Sequence, residues 1–561
     1  RLGGRPLAYT WEWLPVGGPF HSPLMAAGRA AMAATLATEG LRFDTASLRL
    51  PVLDPADGGR LDLATDLTGA LLDSQFVRPV RWAETVRRLA TRDDVHVLLD
   101  CGPGDGVARL SAAAARGTGA PVLALATPAG QEALFTAGAE PSPTVRYADF
   151  APRLARLPDG RVVVDNRYTR ATGHAPMILP GMTPTTVDAG IVVAAANAGF
   201  TAELAGGGQV TADILARRLD EVGRGLAPGA AITFNALYLD RYLWDLQLGA
   251  QGRLLEAVRA GAPVCGVTVS AGVPPVDEAV ALLDSLVESG CRLNAFKPGT
   301  VAQVDAVLKI AAAAPHHTVF VHLEGGKAGG HHSWEDLDAL LLDTYAKLRA
   351  APNVVLCVGG GVGDEARATA LLTGAWSVAH GELPMPVDAL LLGTVTMACA
   401  EATTSPQVKA ALVAAAGTAA WVATHAAAGG VTSGKSGLDA DIHYLDNAAA
   451  RCGRLLDAVA GDDEAVAARR DEIVAALAAT AKPWFGDLEA MTWIDAVRRL
   501  FALTAVGRGG AYEDGCWPDR SFRERAADFV RLAEARLAGL RGKSGAVESL
   551  VDDALTALDA P

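Results

Sequence analysis

Eight short apolar segments in the middle of the chain limit its possible folds more than any other feature. They are spaced by about 22 to 36 residues, so that each gap has room for one helix. The segments are MIL (177–179), FTAEL (200–204), ITFN (232–235), CGVTV (265–269), LNAF (293–296), TVFVHL (318–323), VVLCV (354–358) and DALLL (388–392). Runs that are apolar throughout are typical of strands buried on both faces. Eight strand–helix units predict a (β/α)8 TIM barrel.

A doubly wound open sheet is the alternative fold for this region. It is disfavoured because the strand count matches the barrel and because no G-x-G-x-x-G motif follows the first predicted strand. We therefore predict an α/β protein whose centre is a closed parallel barrel.

The length and patterning of the chain predict further domains around the barrel. At 561 residues the chain is too long for one hydrophobic core. Residues 1–135 alternate helical and short strand patterns, and 136–175 form a Pro-, Arg- and Asp-rich linker. Residues 176–430 contain the barrel, and 431–561 show the apolar spacing of a helical subdomain.

Composition and charge exclude several functions. The formal net charge of −14 argues against a nucleic acid or an anionic membrane surface as the main partner. The seven cysteines are scattered without a CxxC motif, so we expect free thiols in a reducing cytoplasm. The most apolar stretch, 410–430, is mostly Ala and predicts a packed helix rather than a membrane span. The chain opens RLGGRPLAYTWEW without a Met, and we expect a segment of a longer protein.

Glycine-rich turns at the ends of the last two predicted strands are candidates for binding a phosphate. In a parallel barrel the functional residues lie at the carboxyl ends of the strands. GGGVGD (359–364) follows the seventh strand, and Gly393 and Thr394 follow the eighth. Because glycine allows close approach of main-chain N–H groups, Gly360, Gly361, Gly393 and Thr394 are candidates for holding the phosphate. The alternative for the glycine-rich motif is a tight turn between a strand and a helix.

Polar side chains at other strand ends are candidates for ligand contacts. Lys297 either places positive charge in the mouth of the barrel or is a surface lysine. Asn235 either offers a donor and an acceptor to a planar heterocycle or caps a turn. The stretch LEGGKAGGHHSWED (323–336) brings His331 and His332 behind two glycine pairs. One of them can donate a proton near neutral pH while the other packs, and no ligand spacing predicts a metal.

These motifs together resemble the enoyl reductase domain of type I fatty acid synthases of the fungal and actinobacterial kind. The resemblance is carried by PGMTPTTVDAGIVVAAANAGF, ELAGGG, FKPG, GGKAGGHHSWED, GGGVG, TGAWS and PMPVDALLLGT, and it continues into SGKSG, KPWF and MTW. It runs from about Pro176 to the end of the chain. More distantly, the same barrel is shared with nitronate monooxygenases, which also have a Gly-Gly-His after the sixth strand.

The resemblance implies FMN as cofactor and NADPH as hydride donor, with an enoyl thioester on an acyl carrier protein as substrate. It assigns Met182 and Thr183 to the flavin lining and Asn235 to the pyrimidine edge. Lys297 would lie at the electron-rich side of the ring. His331 is the candidate acid or carbonyl polariser, and His332 is the alternate.

A second resemblance covers the N-terminal region. VGGPFHSPLMAAG, SQFVRPVRWAETV and LLDCGPGDGVARL are similar to the second half of an acyltransferase domain of the same synthases. In that family a histidine activates a nucleophilic serine, and His21 matches this histidine. The family's GHSxG motif is absent from the sequence, so we expect no acyl transfer from this chain alone.

The order of the two regions predicts a segment of a multienzyme whose main activity is enoyl-thioester reduction. Expected partners are the acyl carrier protein and other synthase domains, within a large homo-oligomer. Two alternatives remain open, namely a nitronate-oxidising flavoenzyme and a non-catalytic scaffold barrel. Neither the acyl chain length nor the preference for NADPH over NADH can be predicted from the residues themselves.

Overall fold

A computed structural model describes residues 17–138, 144–417, 422–424, 426–435 and 441–479. The chain divides into two compact units. Of the described residues, one unit comprises 17–138 and 144–151 with Ser377–Pro386, and the other contains Pro152–Trp376 and the described residues from Val387 to Ala479. The boundary therefore lies inside the predicted linker of 136–175. Part of that linker is ordered as a hairpin of Arg153–Arg156 with Val162–Asp165, followed by a helix at Arg167–Thr172.

The larger unit is built on a closed barrel of eight parallel strands. We number them β1 to β8. They are β1 (Met177–Leu179), β2 (Thr201–Ala205), β3 (Ile232–Leu237), β4 (Val264–Ser270), β5 (Ala295–Phe296), β6 (Val319–Glu324), β7 (Val354–Gly359) and β8 (Ala389–Leu391). Each strand pairs with the next in sequence, and β8 pairs with β1. The predicted TIM barrel is confirmed, and the open-sheet alternative is wrong.

Helices cover the outside of the barrel. Those between consecutive strands are Ala189–Asn197, Ala212–Gly225, Arg241–Gln247, Arg253–Arg259, Val276–Glu288, Val301–Ala313, Leu337–Ala350 and Glu365–Thr373. Many begin at a side chain that accepts a main-chain N–H, such as Thr211, Thr300 and Asp364. Such caps satisfy donors that the first helical turn leaves without partners.

The amino-terminal end of the barrel is filled by apolar side chains. Tyr168, Phe320, Val355 and Leu391 belong to one buried cluster there. The Tyr168 hydroxyl donates to Thr201 Oγ1, which satisfies its polar atom inside this apolar layer.

The region after residue 430, predicted to be a mainly helical subdomain over 431–561, begins with strands. Val431–Lys435 pairs antiparallel with Asp441–Leu445, which also pairs with the short strand Gly330–His331. Only then do the helices Ala448–Val459, Asp463–Ala468 and Arg470–Ala478 follow. The pairing of Asp441–Leu445 with Gly330–His331 joins segments more than a hundred residues apart, whereas its pairing with Val431–Lys435 is local. The motifs KPWF and MTW lie outside the described residues.

The smaller unit contains short helices beside a two-stranded parallel sheet. Its helices are Ala26–Thr38, Leu67–Phe76, Trp82–Ala90, Gly106–Ala114 and Pro128–Phe135. Leu98–Asp100 pairs with Val122–Ala124. The alternation of helical and strand patterns predicted for this region is present.

Two further predictions concern the whole chain. None of the helices among the described residues is long and apolar enough to cross a bilayer. A packed helix was predicted within 410–430. Among the described residues of this stretch, the only helical ones are the last residues of the helix Pro406–Ala414, and 418–421 and 425 are not described. The six described cysteines are free thiols, whereas Cys516 lies outside the described residues.

Candidate active site

A buried carboxylate organises the interior of the barrel beneath its open end. Glu203 on β2 is fully buried, and its Oε2 accepts hydrogen bonds from Gly181 N (2.7 Å) and Asn235 Nδ2 (2.8 Å). Its Oε1 accepts from Thr268 Oγ1 at 2.6 Å and lies 3.3 Å from His322 Nδ1. We call these five residues the Glu203 cluster. Because its members come from β2, β3, β4, β6 and the turn after β1, Glu203 fixes the relative positions of these elements.

The surroundings of Glu203 keep it ionised. Burial by itself would raise the pKa of Glu203, but the hydrogen bond and charge of His322 act in the opposite direction. Together with the Thr268 hydroxyl and the Gly181 N–H, they lower the pKa of Glu203 from 4.5 to about 2. Glu203 is therefore a fixed carboxylate beneath the mouth.

Asn235 is held by this cluster. Its amide donates to Glu203, and its Oδ1 accepts from Ser270 Oγ at 2.6 Å. These contacts fix which end of the amide is donor and which is acceptor. One N–H and one oxygen lone pair remain for a further partner, so the proposed ligand contact is compatible with the geometry.

Lys297 forms an ion pair at the mouth. Its Nζ lies 3.0 Å from Glu324 Oε2, and only 16% of its side chain is exposed. Burial would lower the pKa of Lys297, but the charge and hydrogen bond of Glu324, with the more distant Glu203, raise it. Lys297 is thus a buried, charged ammonium group rather than the surface lysine that was the alternative.

The glycine loop, residues 325–330, passes directly over the turns that follow β7 and β8. A Cβ on Gly360 would lie 2.4 Å from Gly325 O, and Gly360 has a φ of +94°. A Cβ on Gly329 would lie 2.4 Å from Thr394 Oγ1. Both separations are far shorter than real contacts, so glycine is required at both positions. The sequence-predicted loop and phosphate turns therefore meet at one place.

Four main-chain N–H groups at these turns have no protein acceptor. Among the described residues, none accepts a hydrogen bond from the N–H of Gly360, Gly361, Gly393 or Thr394. Gly361 and Thr394 are exposed, and Gly360 and Gly393 are half-buried. Main-chain N–H groups left free at adjacent strand ends are suited to an anion. The donor set thus fits the phosphate of a nucleotide cofactor.

The two adjacent histidines have different surroundings. His331 is exposed and lies on the short strand that pairs with Ile442. His332 is half-buried, with its ring stacked on His443 at 3.8 Å between centroids. Burial lowers the pKa of His332, so the neutral form dominates at pH 7. One histidine packs and the other is accessible, as the sequence indicated for an adjacent pair.

The turn after β1 brings two more of the predicted residues to the mouth. Met182 Sδ lies 3.6 Å from the position of a Cβ on Gly393, and Met182 N donates to Thr186 Oγ1 at 2.7 Å. Thr183 is exposed, with its hydroxyl 2.8 Å from a Cβ position on Gly207. Both residues therefore border the same opening as the phosphate turns.

His21 lies in the smaller unit. Its Nδ1 is 3.1 Å from the carbonyl oxygen of Ser74, and its φ is +61°, a strained value for a non-glycine residue. With the proton on Nδ1, the imidazole would present Nε2 as a base. The geometry is compatible with the role that the resemblance implies.

Three polar residues of this site, Glu203, His322 and Glu324, were missed by sequence reasoning. Each is a charged or titratable residue in a strand that is otherwise apolar. Their signal was visible in FTAEL and TVFVHLE, because such a side chain in a doubly buried strand requires a partner. Which residues serve as partners depends on the barrel register and could not be read from the segments.

Fold and site together define a (β/α)8-barrel protein whose mouth combines a largely buried lysine with main-chain N–H groups that have no acceptor among the described residues. Comparisons with known proteins show which families within this class the chain is similar to. A family model described as "Fatty acid synthase subunit beta/Fas1-like, helical" matches residues 318–561.

Curated relatives match nearly the whole chain. The fatty acid synthase subunit beta of Saccharomyces cerevisiae is 30% identical over 95% of this chain and 27% of its own length. The beta subunit aflB of Emericella nidulans is 32% identical over 97% of this chain and 26% of its own. That of Schizosaccharomyces pombe is 34% identical, with shares of 79% and 21%. These matches confirm the resemblance to a segment of a type I fatty acid synthase. The chain spans about a quarter of the length of these relatives.

Solved structures show only loose similarity. The enoyl reductase domain of MlnA from Bacillus amyloliquefaciens is 14% identical, with a TM-score of 0.39 over 70% of this chain and 97% of its own. The nitroalkane oxidase of Streptomyces ansochromogenes is 19% identical, with a TM-score of 0.35 and shares of 55% and 87%. These superpositions carry no argument about the chemistry of this chain.

Proposed function

We propose that this chain carries the enoyl-thioester reductase step of a type I fatty acid synthase, with FMN and NADPH as cofactors. The observation that supports this most strongly is the set of four N–H groups, at Gly360, Gly361, Gly393 and Thr394, for which no described residue is an acceptor. They lie at the strand ends where a barrel commonly binds a phosphate. The similarity to fatty acid synthase beta subunits supports a place in fatty acid synthesis.

FMN, when bound, would supply hydride chemistry between NADPH and the β-carbon of a trans-2-enoyl thioester. The reaction consumes one NADPH and one proton and yields a saturated thioester and NADP⁺. In this proposal the N–H groups hold the cofactor phosphate, and Asn235 meets the pyrimidine edge with the orientation fixed by Glu203 and Ser270. Met182 and Thr183 border the ring.

Lys297 provides positive charge where electron density accumulates. Because Glu324 and Glu203 hold its ammonium group charged inside the mouth, no reorganisation is needed during the reaction. His331 delivers the proton to the α-carbon or polarises the thioester carbonyl, since it is the exposed member of the pair. His332 supports the loop by stacking on His443.

The proposal also covers the smaller unit, which contains His21. We infer that His21 belongs to an acyltransferase site whose nucleophile is not in this sequence, so the chain alone does not transfer acyl groups. The proposed partners of the whole protein are the acyl carrier protein, the other synthase domains and further copies of the parent subunit.

The proposal is tested by steady-state reduction of a crotonyl thioester with added FMN and NADPH. Lys297→Met should reduce kcat/KM by about 100-fold, which is the usual effect of removing one electrostatic contact in a transition state. Lys309→Met is the matched control, because Lys309 lies exposed on helix Val301–Ala313, and its activity should be unchanged. Equal activities of both variants and wild type would contradict the role of Lys297.

The two histidines are compared in the same assay. His331→Ala should lose most of the activity, whereas His332→Ala should lose stability more than turnover. If activity survived in His331→Ala and collapsed in a folded His332→Ala variant, the assignment would be reversed.

A further inference from the structure

A cluster of metal-ligating side chains lies outside the proposed active site. Asp284 is on helix Val276–Glu288, and His316 and His317 form the turn between helix Val301–Ala313 and β6. One ligand atom from each residue lies within 4.8 Å of the other two. We call these residues the His-His-Asp cluster.

The ligand atoms converge on one carboxylate oxygen. His317 Nε2 lies 2.6 Å from Asp284 Oδ1, and His316 Nε2 lies 3.5 Å from the same atom. The two imidazole centroids are 4.1 Å apart. Both rings therefore face the same carboxylate.

We propose that the His-His-Asp cluster binds a borderline divalent cation of the zinc class. Two imidazole nitrogens and one carboxylate oxygen are a ligand set that zinc prefers, with water in the fourth position. Metal–ligand bonds of about 2.0–2.1 Å in a tetrahedron place the ligand atoms about 3.3 Å apart. The His316–Asp284 separation is already near this value, and the His317–Asp284 pair needs to open by less than 1 Å.

Contacts with the Asn353 side chain fix the turn that carries the two histidines. The side-chain amide of Asn353 lies within 3.1 Å of the carbonyl oxygens of Ala311, Ala314 and His317. His317 is also largely buried, with 9% of its side chain exposed, whereas 63% of His316 and 48% of Asp284 are exposed. A metal would thus meet one fixed ligand and two that can adjust from the solvent side.

The position of the cluster defines its role. The turn precedes β6, so it lies at the amino-terminal end of the barrel, opposite the carboxyl strand ends that form the mouth. A cation there joins two consecutive outer helices of the barrel and takes no part in hydride transfer. We therefore expect metal binding to stabilise the barrel and to leave the reductase rate unchanged.

The test is calorimetric titration of the full chain, free of any affinity tag, with zinc chloride. Unmodified protein should show one saturable site, and Asp284→Asn and His316→Ala should each weaken it by at least tenfold. Both changes are at exposed side chains, so the variants should remain folded. His96→Ala is the matched control, since His96 is exposed in the other unit, and its isotherm should equal that of wild type.

A second readout reports on the ligand set itself. Cobalt(II) in place of zinc should give the intense visible bands of a four-coordinate site in wild type and weak bands in Asp284→Asn. Absence of one-site saturable binding in unmodified protein, or an unchanged isotherm in Asp284→Asn, would overturn the proposal. Neither result depends on the reductase activity, so the proposed function is tested separately.

Discussion

Substitutions of Glu203 test whether this buried carboxylate organises the barrel mouth. Its Oε2 accepts from two groups that can only donate in this arrangement, Gly181 N–H and the Asn235 amide nitrogen. Its Oε1 accepts from the Thr268 hydroxyl, which can become an acceptor, and lies 3.3 Å from His322 Nδ1, which can accept only when that nitrogen carries no proton. Gln at this position can therefore place its oxygen at the Oε2 position and its NH2 group at the Oε1 position.

This difference between the partners of Oε1 and Oε2 determines how much stability each substitution should cost. Glu203→Gln leaves no buried donor without an acceptor and loses only the added strength of hydrogen bonds to a charge, so it should cost about 1–2 kcal/mol. Glu203→Ala leaves the donors of Gly181, Asn235 and Thr268 without their acceptor. At about 1–3 kcal/mol for each buried unsatisfied group, this variant should cost about 4 kcal/mol or more.

Urea denaturation followed by circular dichroism measures both costs from the shift in midpoint. Glu278→Gln is the matched control, because Glu278 is half-buried and accepts a single hydrogen bond from the Tyr238 hydroxyl. It should cost less than about 1 kcal/mol. Equal losses of stability in Glu203→Gln and Glu203→Ala would refute the reasoning, since the argument depends on which partners can switch to accepting.

The same residue gives a pH dependence with a definite sign. The pKa of Glu203 is lowered from 4.5 to about 2 in the folded chain, so the unfolded state binds its proton first as the pH falls. Its contribution to stability is therefore complete above about pH 4.5 and is lost as the pH falls towards 2. The Gln variant, which has no such proton, should show a flatter stability curve in this window. Parallel curves for the two proteins would contradict the lowered pKa.

Three further predictions concern the mouth. Gly360→Ala should weaken FMN binding at least tenfold in a fluorescence titration, because of its positive φ and its crowded Cβ position. Gly363→Ala, where a Cβ meets nothing within 4 Å, should bind like wild type. Glu324→Gln should lower the pKa of Lys297, because burial then acts without the opposing charge of Glu324. The alkaline limb of the rate–pH profile should therefore move to lower pH, and an unchanged limb would contradict this prediction. Burial lowers the pKa of His332 in the folded chain, so wild type should lose stability as the pH falls below 6.5, and His332→Asn should lose less. Identical stability–pH curves for the two proteins in urea titrations would refute this prediction.

The barrel could be predicted from the sequence because its strands are buried on both faces. CGVTV predicted a strand at 265–269, and β4 extends from Val264 to Ser270. The strand Asp441–Leu445 could not be predicted in the same way. One of its partners is the two-residue strand containing His331, and pairing over that sequence distance leaves no local periodicity.

In the candidate site, too, some residues could be predicted from single segments, whereas their contacts could not. Gly360, Lys297 and His331 were identified because each follows a recognisable strand. The hydrogen-bond partners of Asn235 and the ion pair of Lys297 with Glu324 depend on how neighbouring strands are staggered. Stagger is a property of the closed barrel rather than of any segment.

The central claim is most directly tested by the visible spectrum of the FMN-loaded chain through one catalytic cycle without oxygen. Addition of NADPH should bleach the flavin bands, and a crotonyl thioester should then restore them with formation of the saturated thioester. Bleaching that no enoyl thioester reverses would contradict the reductase assignment and favour another flavin oxidoreductase. Failure to retain FMN at all would contradict the cradle at Gly360 and Thr394 on which the proposal rests.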